Sequence, residues 1–166
     1  MALAANLESI VPKIDKATAP RGQGTRYPAP FDLPCRQRTW HRLGDAASLT
    51  QFGINLLRLP AGTWSSQRHW HTHEDEFVYV LVGEVVLVTD AGEEILGAGD
   101  CAGFKAGVRD GHCLQNRTPH DAQILVVGSR SNDDHGEYPD IDMVFGPGRY
   151  AGKGGYRRKD GSPYST

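Results

Sequence analysis

His69-Trp70-His71-Thr72-His73-Glu74-Asp75-Glu76-Phe77-Val78-Tyr79-Val80-Leu81-Val82-Gly83 is the stretch on which the reading of this chain turns. Glu76 to Val82 is rich in β-branched and aromatic residues and reads as a strand. His69 and His71 are one residue apart. On a strand, where side chains alternate with period two, both imidazoles therefore point to the same face. A tight turn over Thr72 to Asp75 then brings Glu76 to the start of the neighbouring strand, beside the histidine pair. With His112 some forty residues on, these residues form a mixed nitrogen and oxygen donor set. Such a set suits Mn, Fe, Co, Ni, Cu or Zn, whereas Ca and Mg prefer mostly oxygen ligands. The expected ligands are His69, His71, Glu76 and His112, holding one divalent transition ion, with Zn, Mn, Fe or Ni as candidates. His41, His120 and His135 have no partners in sequence and are assigned to the surface.

Outward from this stretch, short strand candidates recur at 36–43, 52–59, 68–72, 76–82, 84–89, 93–96, 101–104, 112–116 and 122–128. Turn signals such as Pro60-Ala61-Gly62, Asp90-Ala91-Gly92 and Gly97-Ala98-Gly99-Asp100 separate nearly all of them. That rhythm argues an all-β sandwich or barrel. The strand 76–82 is apolar on both faces, which marks burial on both sides. A second subunit, or the chain's own tail, is expected to cover the outer one.

Gly62, His69, His71, Glu76 and Gly83 resemble the first motif of the cupin superfamily: Gly, a spacer, His-x-His, three or four residues, Glu, six residues, Gly. Six residues lie between Gly62 and His69 in place of the usual five, a change that a loop leading into a strand absorbs. The second cupin motif is recognisable from Gly99 to Asn116: Gly99, Gly107, His112 and Asn116 fit, Lys105 replaces a proline, and Val108 to Gly111 lengthen the gap before the histidine. The resemblance covers about residues 50 to 128. It implies a double-stranded β-helix, or jelly-roll, barrel with a metal near its interior and, as in many small cupins, a homodimer. His71-Thr72-His73 is a competing His-x-His pair, but it leaves too few residues before Glu76 for the cupin turn, so His73 is assigned to the rim.

The rest of the chain divides into an N-terminal part, 1–34, the barrel, 35–136, and a Gly-rich extension, 137–166, packed on the barrel or on a partner subunit. Leu3, Leu7 and Ile10 at helical spacing predict a short helix that Pro12 ends, followed by a proline-rich arm over 20–34. A length of 166 residues, 39% of them hydrophobic, supports one core. The net charge of −2 gives no footprint for nucleic acid. No run of about eighteen apolar residues predicts a membrane span, and the N-terminus lacks a signal-peptide pattern. Three cysteines without disulfide or zinc-finger spacing fit a reducing compartment, so a cytoplasmic protein is expected.

Three histidines and one carboxylate fill about four positions of an ion and leave one or two open for a substrate oxygen or dioxygen. Glu76 is the expected catalytic base. Asn55, Arg58 and Gln123 lie on strands expected to flank the metal, and Trp64, Trp70, Lys105 and Arg109 lie near the motif loops. Lys105 and Arg109 offer charge for an anionic substrate such as a sugar phosphate or a carboxylate. Asn116 is expected to close a turn, and Gly83 to permit a hairpin. The resemblance implies a small-molecule metalloenzyme, with sugar-phosphate isomerisation and dioxygen-dependent oxidation as leading reactions. The alternative is a non-catalytic module that senses a sugar or small acid around a structural metal.

Overall fold

Alternating apolar and polar residues produce thirteen strands among residues 13–164, which the computed structural model describes; the helix expected at 3–11 lies outside them. The strands are β1 (Arg21–Gln23), β2 (Thr39–Arg42), β3 (Phe52–Leu59), β4 (Trp70–His71), β5 (Glu76–Val82), β6 (Glu84–Thr89) and β7 (Gly92–Gly97). They continue with β8 (Cys101–Phe104), β9 (Cys113–Gln115), β10 (Ala122–Ser129), β11 (Gly136–Tyr138), β12 (Met143–Phe145) and β13 (Tyr156–Arg157). A single helical turn, α1 (Leu43–Ala46), follows β2.

One layer is a six-stranded antiparallel sheet in the order β1-β2-β3-β10-β5-β8. The other is built from β7-β6-β9 and β13-β12-β11-β4. A bridge between His69 and His112, with N–H···O distances of 3.2 and 2.9 Å, stitches these two pieces together. The result is the jelly roll that the strand rhythm and the two motifs imply. Between the layers, Leu57, Leu59, Val78, Val80, Val85, Leu87, Leu96, Leu114, Ala122 and Ile124 form the main core. A second core of Tyr27, Cys35, Tyr138, Met143 and Phe145 lies where the arm and the tail meet.

Four strand expectations, at 52–59, 76–82, 84–89 and 101–104, coincide with observed strands. The stretch expected as a strand at 68–72 shortens to β4, because His69 meets His112 only in an isolated two-bond bridge and Ser65 bonds to Leu114, with no continuous ladder between them. The arm begins as an edge strand, β1, with Arg21 opposite His41. The tail is more ordered than its glycines suggest: β11 pairs with β4, β12 with β11, and β13 with β12. Gly136 makes the first pairing possible, since a Cβ there would lie 2.0 Å from the Trp70 carbonyl oxygen. Gly83, at φ 81°, turns β5 into β6 where a Cβ would meet the Asp121 carbonyl oxygen at 2.7 Å.

Arg68 fastens the tail from outside. Its side chain, only 14% exposed, donates twice to Asp140 at 2.9 Å and once to Asp90 at 2.5 Å. The tail does not cover the outer face of β5. Phe77, Tyr79 and Leu81 remain 42%, 37% and 42% exposed there, because the tail packs against β4 and the second core. Among the described residues no helix is long and apolar enough to cross a membrane.

Candidate metal centre

Period-two alternation on β4 and the bridge to His112 put three imidazoles on the inner side of one layer, facing the first residue of β5 in the other. The Glu76 Oε2 atom lies 2.9 Å from His112 Nε2, 3.6 Å from His71 Nε2 and 3.7 Å from His69 Nε2. Donor atoms about 2.1 Å from a shared ion stand roughly 3.0–3.6 Å apart at angles of about 90–120°; the His69 and His71 nitrogens and the Glu76 oxygen lie within 4.8 Å of one another and could hold one ion, with His112 against the same oxygen. The outer nitrogens agree. Nδ1 of His69 faces the Gln67 carbonyl at 3.0 Å, that of His71 faces Asp134 Oδ2 at 2.6 Å, and that of His112 faces the Asp110 carbonyl at 3.5 Å. These oxygens only accept, which assigns the proton to Nδ1 in His69 and His71 and turns their Nε2 lone pairs toward Glu76, while His112 donates from Nε2 to the Glu76 carboxylate at 2.9 Å.

Each imidazole is also backed by an aromatic ring. Phe104 stacks on His112 at 3.6 Å and 1°, Tyr138 lies on His69 at 5.5 Å and 26°, and Phe145 flanks His71 at 5.1 Å. Burial pushes His69 down to about 3, keeping it neutral and able to ligate. Burial alone would raise Glu76, but the His112 hydrogen bond and the neighbouring imidazoles offset it and hold the carboxyl well below the usual carboxylate range. The centre therefore presents a neutral imidazole at His69 and an anionic oxygen at Glu76; at His71 burial lowers the value, but the Asp134 hydrogen bond and the Glu76 charge more than offset it and raise it.

A second acidic group touches His71 from behind. Glu74 and Asp134 are 4% and 1% exposed, and their carboxylates approach His71 Nδ1 to 4.0 and 2.6 Å. Arg149 pairs with Glu74 and stands 3.8 Å from Asp134. The guanidinium takes the place a second cation would need, so this cluster is a buried ion-pair network rather than another metal site.

A cavity of about 350 Å³ opens from the centre and is lined by Arg38, Trp40, Arg42, Asn55, Tyr138 and Arg149, together with the four donor residues. A smaller one, about 220 Å³, reaches Glu76, His71 and His112 past Lys105, Val108 and Asp110. Asn55 thus lines the main cavity and Lys105 the smaller one. Arg58 and Gln123 line neither. They are cross-strand partners on the outer face, and Arg58 is paired with Asp121 at 2.5 Å; Arg58 stands three steps along the strand from Asn55, an odd number, which reverses its side. Arg109 lies over the Trp70 ring at 5.3 Å, and Trp64 packs on the second core. Asn116, fully buried, donates to the carbonyls of Leu59 and His120 and closes its turn as expected. His73, His120 and His135 are exposed, and Cys113 is buried against Gln115.

Sequence reasoning missed Arg38, Arg42, Asp134, Tyr138, Phe145 and Arg149. A signal existed for the first two, since Arg38, Trp40 and Arg42 alternate and so share a face. None existed for the others, whose partners lie about sixty or more residues away.

The family described as Cupin domain matches residues 55–128. Among curated proteins none matches. The chain is 44% identical to a sugar phosphate isomerase of the cupin superfamily from Silicibacter pomeroyi, covering 93% of this chain and 98% of that one with a TM-score of 0.87. It is 27% identical to a candidate sugar phosphate isomerase from Acidithiobacillus ferrooxidans, over 78% of this chain and 81% of that one, with a TM-score of 0.69. The polyketide cyclase RemF from Streptomyces resistomycificus, 19% identical over 72% of this chain and 80% of that one at a TM-score of 0.59, shares the fold alone. With both motifs folded around one donor cluster and this likeness along nearly the whole chain, the protein belongs to the cupin superfamily.

Proposed function

We propose that the protein is a metal-dependent isomerase of a phosphorylated sugar, interconverting its aldose and ketose forms. The observation that carries this reading is a metal-capable centre at the base of a cavity bearing Arg38, Arg42 and Arg149. Guanidinium groups suit a phosphate dianion, which they bind through charge-assisted, often paired hydrogen bonds. The name of the Silicibacter relative points the same way.

Isomerisation moves one proton between two adjacent carbons and a second between their two oxygens, and shifts the carbonyl in the opposite direction, with no net change in atoms or oxidation level. A divalent ion held by His69, His71, Glu76 and His112 would supply Lewis acidity to the sugar oxygens that exchange carbonyl character. The arginines bind and orient the phosphate end. Glu76, ionised and facing both cavities, takes the proton from one carbon and returns it to the next. Phe104, Trp40 and Tyr138 exclude water from the reacting carbons.

The proposal extends to a homodimer formed through the outer face of β5, whose Phe77, Tyr79 and Leu81 carry no charge to oppose a second copy. Buried free thiols at Cys35 and Cys113 support a cytoplasmic setting.

Metal-reconstituted protein, incubated with a panel of aldose and ketose phosphates in D2O, should interconvert one pair and place deuterium on the carbon that gains the proton. Failure to interconvert any pair overturns the reading. Oxygen uptake by the Fe-loaded protein would replace it with dioxygen-dependent oxidation, and tight binding without turnover would replace it with a sensing module.

A further inference from the structure

The buried network behind His71 has no part in the proposed proton transfer, yet it is built more tightly than the cavity. Asp134 uses both carboxylate oxygens: Oδ2 accepts a hydrogen bond from His71 Nδ1 at 2.6 Å, and Oδ1 accepts one from the His73 amide at 3.0 Å. The loop that carries it is strapped to the same turn, because the Thr72 amide donates to the His135 carbonyl at 3.0 Å and the Thr72 hydroxyl donates there at 2.8 Å. Glu74 fixes the other end of this loop by accepting the Ser131 amide at 2.8 Å. Two carboxylates buried this closely repel each other unless a cation stands between them. Arg149, from the tail, is that cation.

We propose that Asp134 is the positioning residue of the metal centre, aiming Nε2 of His71 at the ion, and that Arg149 keeps Asp134 in place by neutralising Glu74. On this view the far tail governs metal retention without donating a ligand. The inference rests on the reading of His69, His71, Glu76 and His112 as the donors.

The test uses full-length protein and Zn alone, with affinity measured by chelator competition and the His71 Nδ1–H resonance followed by NMR on histidine-labelled protein. Asp134→Asn should weaken Zn binding by about 10–100-fold, the range for a lost partner of a ligating imidazole. Arg149→Met should also weaken it, by letting Glu74 repel Asp134, and adding Glu74→Gln to Arg149→Met should restore most of the loss. A residue that merely holds the loop would not show this recovery. Wild-type affinity in both Asp134→Asn and Arg149→Met, or a double variant no better than Arg149→Met, overturns the proposal. Where Asp134→Asn fails to fold, the Arg149→Met and Glu74→Gln pair decides alone. Absence of Zn binding by the wild-type protein would overturn the donor assignment instead; the metal-free Nδ1–H resonance then still judges Asp134, supporting it if present in wild type and lost in Asp134→Ala, and overturning it if absent from wild type.

Discussion

Strand β5 and the segment 131–157 serve one centre in opposite ways. β5 sits inside a six-stranded sheet, laddered by β10 on one side and β8 on the other, and gives the centre a donor, Glu76. The segment 131–157 gives none. It supplies Asp134 behind His71, Tyr138 on His69, Phe145 beside His71, and Arg149 on the network and the cavity. The difference teaches that donors and their orientation come from separate parts of the chain. Donors ride on strands or on the bridge that prolongs them, where alternation fixes their side; the groups that aim them arrive by long-range packing.

The harshest way to test this division is to remove a donor. His71→Ala protein should retain essentially no metal after dialysis, a loss beyond the roughly 10–100-fold expected for an outer partner; full metal content by mass spectrometry would dismantle the β5 side of the comparison. Next comes the tail. Phe145, 8% exposed in the second core, should cost about 3–5 kcal/mol in urea unfolding when replaced by alanine. A loss under about 0.5 kcal/mol, usual for surface positions, would reduce the tail to a loose cover.

The cavity arginines give a finer contrast. Arg38→Ala or Arg42→Ala should raise KM for the phosphorylated substrate by about tenfold to a hundredfold, in line with roughly 1.5–3 kcal/mol for a hydrogen bond to a charged group. Arg58→Ala, which removes a half-exposed pair on the outer face, should change KM by less than about threefold. Equal effects at all three positions would erase the inside-outside distinction. On that outer face, Phe77→Glu with Leu81→Glu should convert a sedimenting dimer to monomers while leaving metal content intact; a wild-type protein that sediments as a monomer removes the dimer.

The smallest effect concerns the clasp at Arg68. Its hydrogen bonds hold the Asp140 carboxyl below the ordinary value of 3.8. A carboxylate held low contributes stability above its unfolded value and loses it as pH falls through the folded one. Wild-type Tm should therefore drop more between pH 5 and pH 3 than that of Arg68→Gln, and parallel curves would show that the clasp contributes nothing.

How much of this was legible beforehand follows the same division. His69, His71 and Glu76 could be placed together because alternation and a short turn act over a few residues. His112 needed the resemblance, since nothing local says which strand will lie beside β4. Arg58 was misjudged for a local reason: an odd number of steps from Asn55 places it on the other face. β11, β12 and β13 were hidden because two or three residues among glycines carry too little periodicity to register. Asp134 left no trace at all, as its meaning lies in a bond 63 residues away.

That separation has a consequence for how the protein is born. During synthesis every donor leaves the ribosome before Asp134, Tyr138 and Phe145 do, and the twenty-two residues from His112, the last donor, to Asp134 take about 1–4 s at roughly 5–20 residues per second. A nascent chain can thus carry the whole donor set for seconds without the groups that aim it, and an excised fragment spanning only 55–128, the residues of the family match, would stay in that state for good.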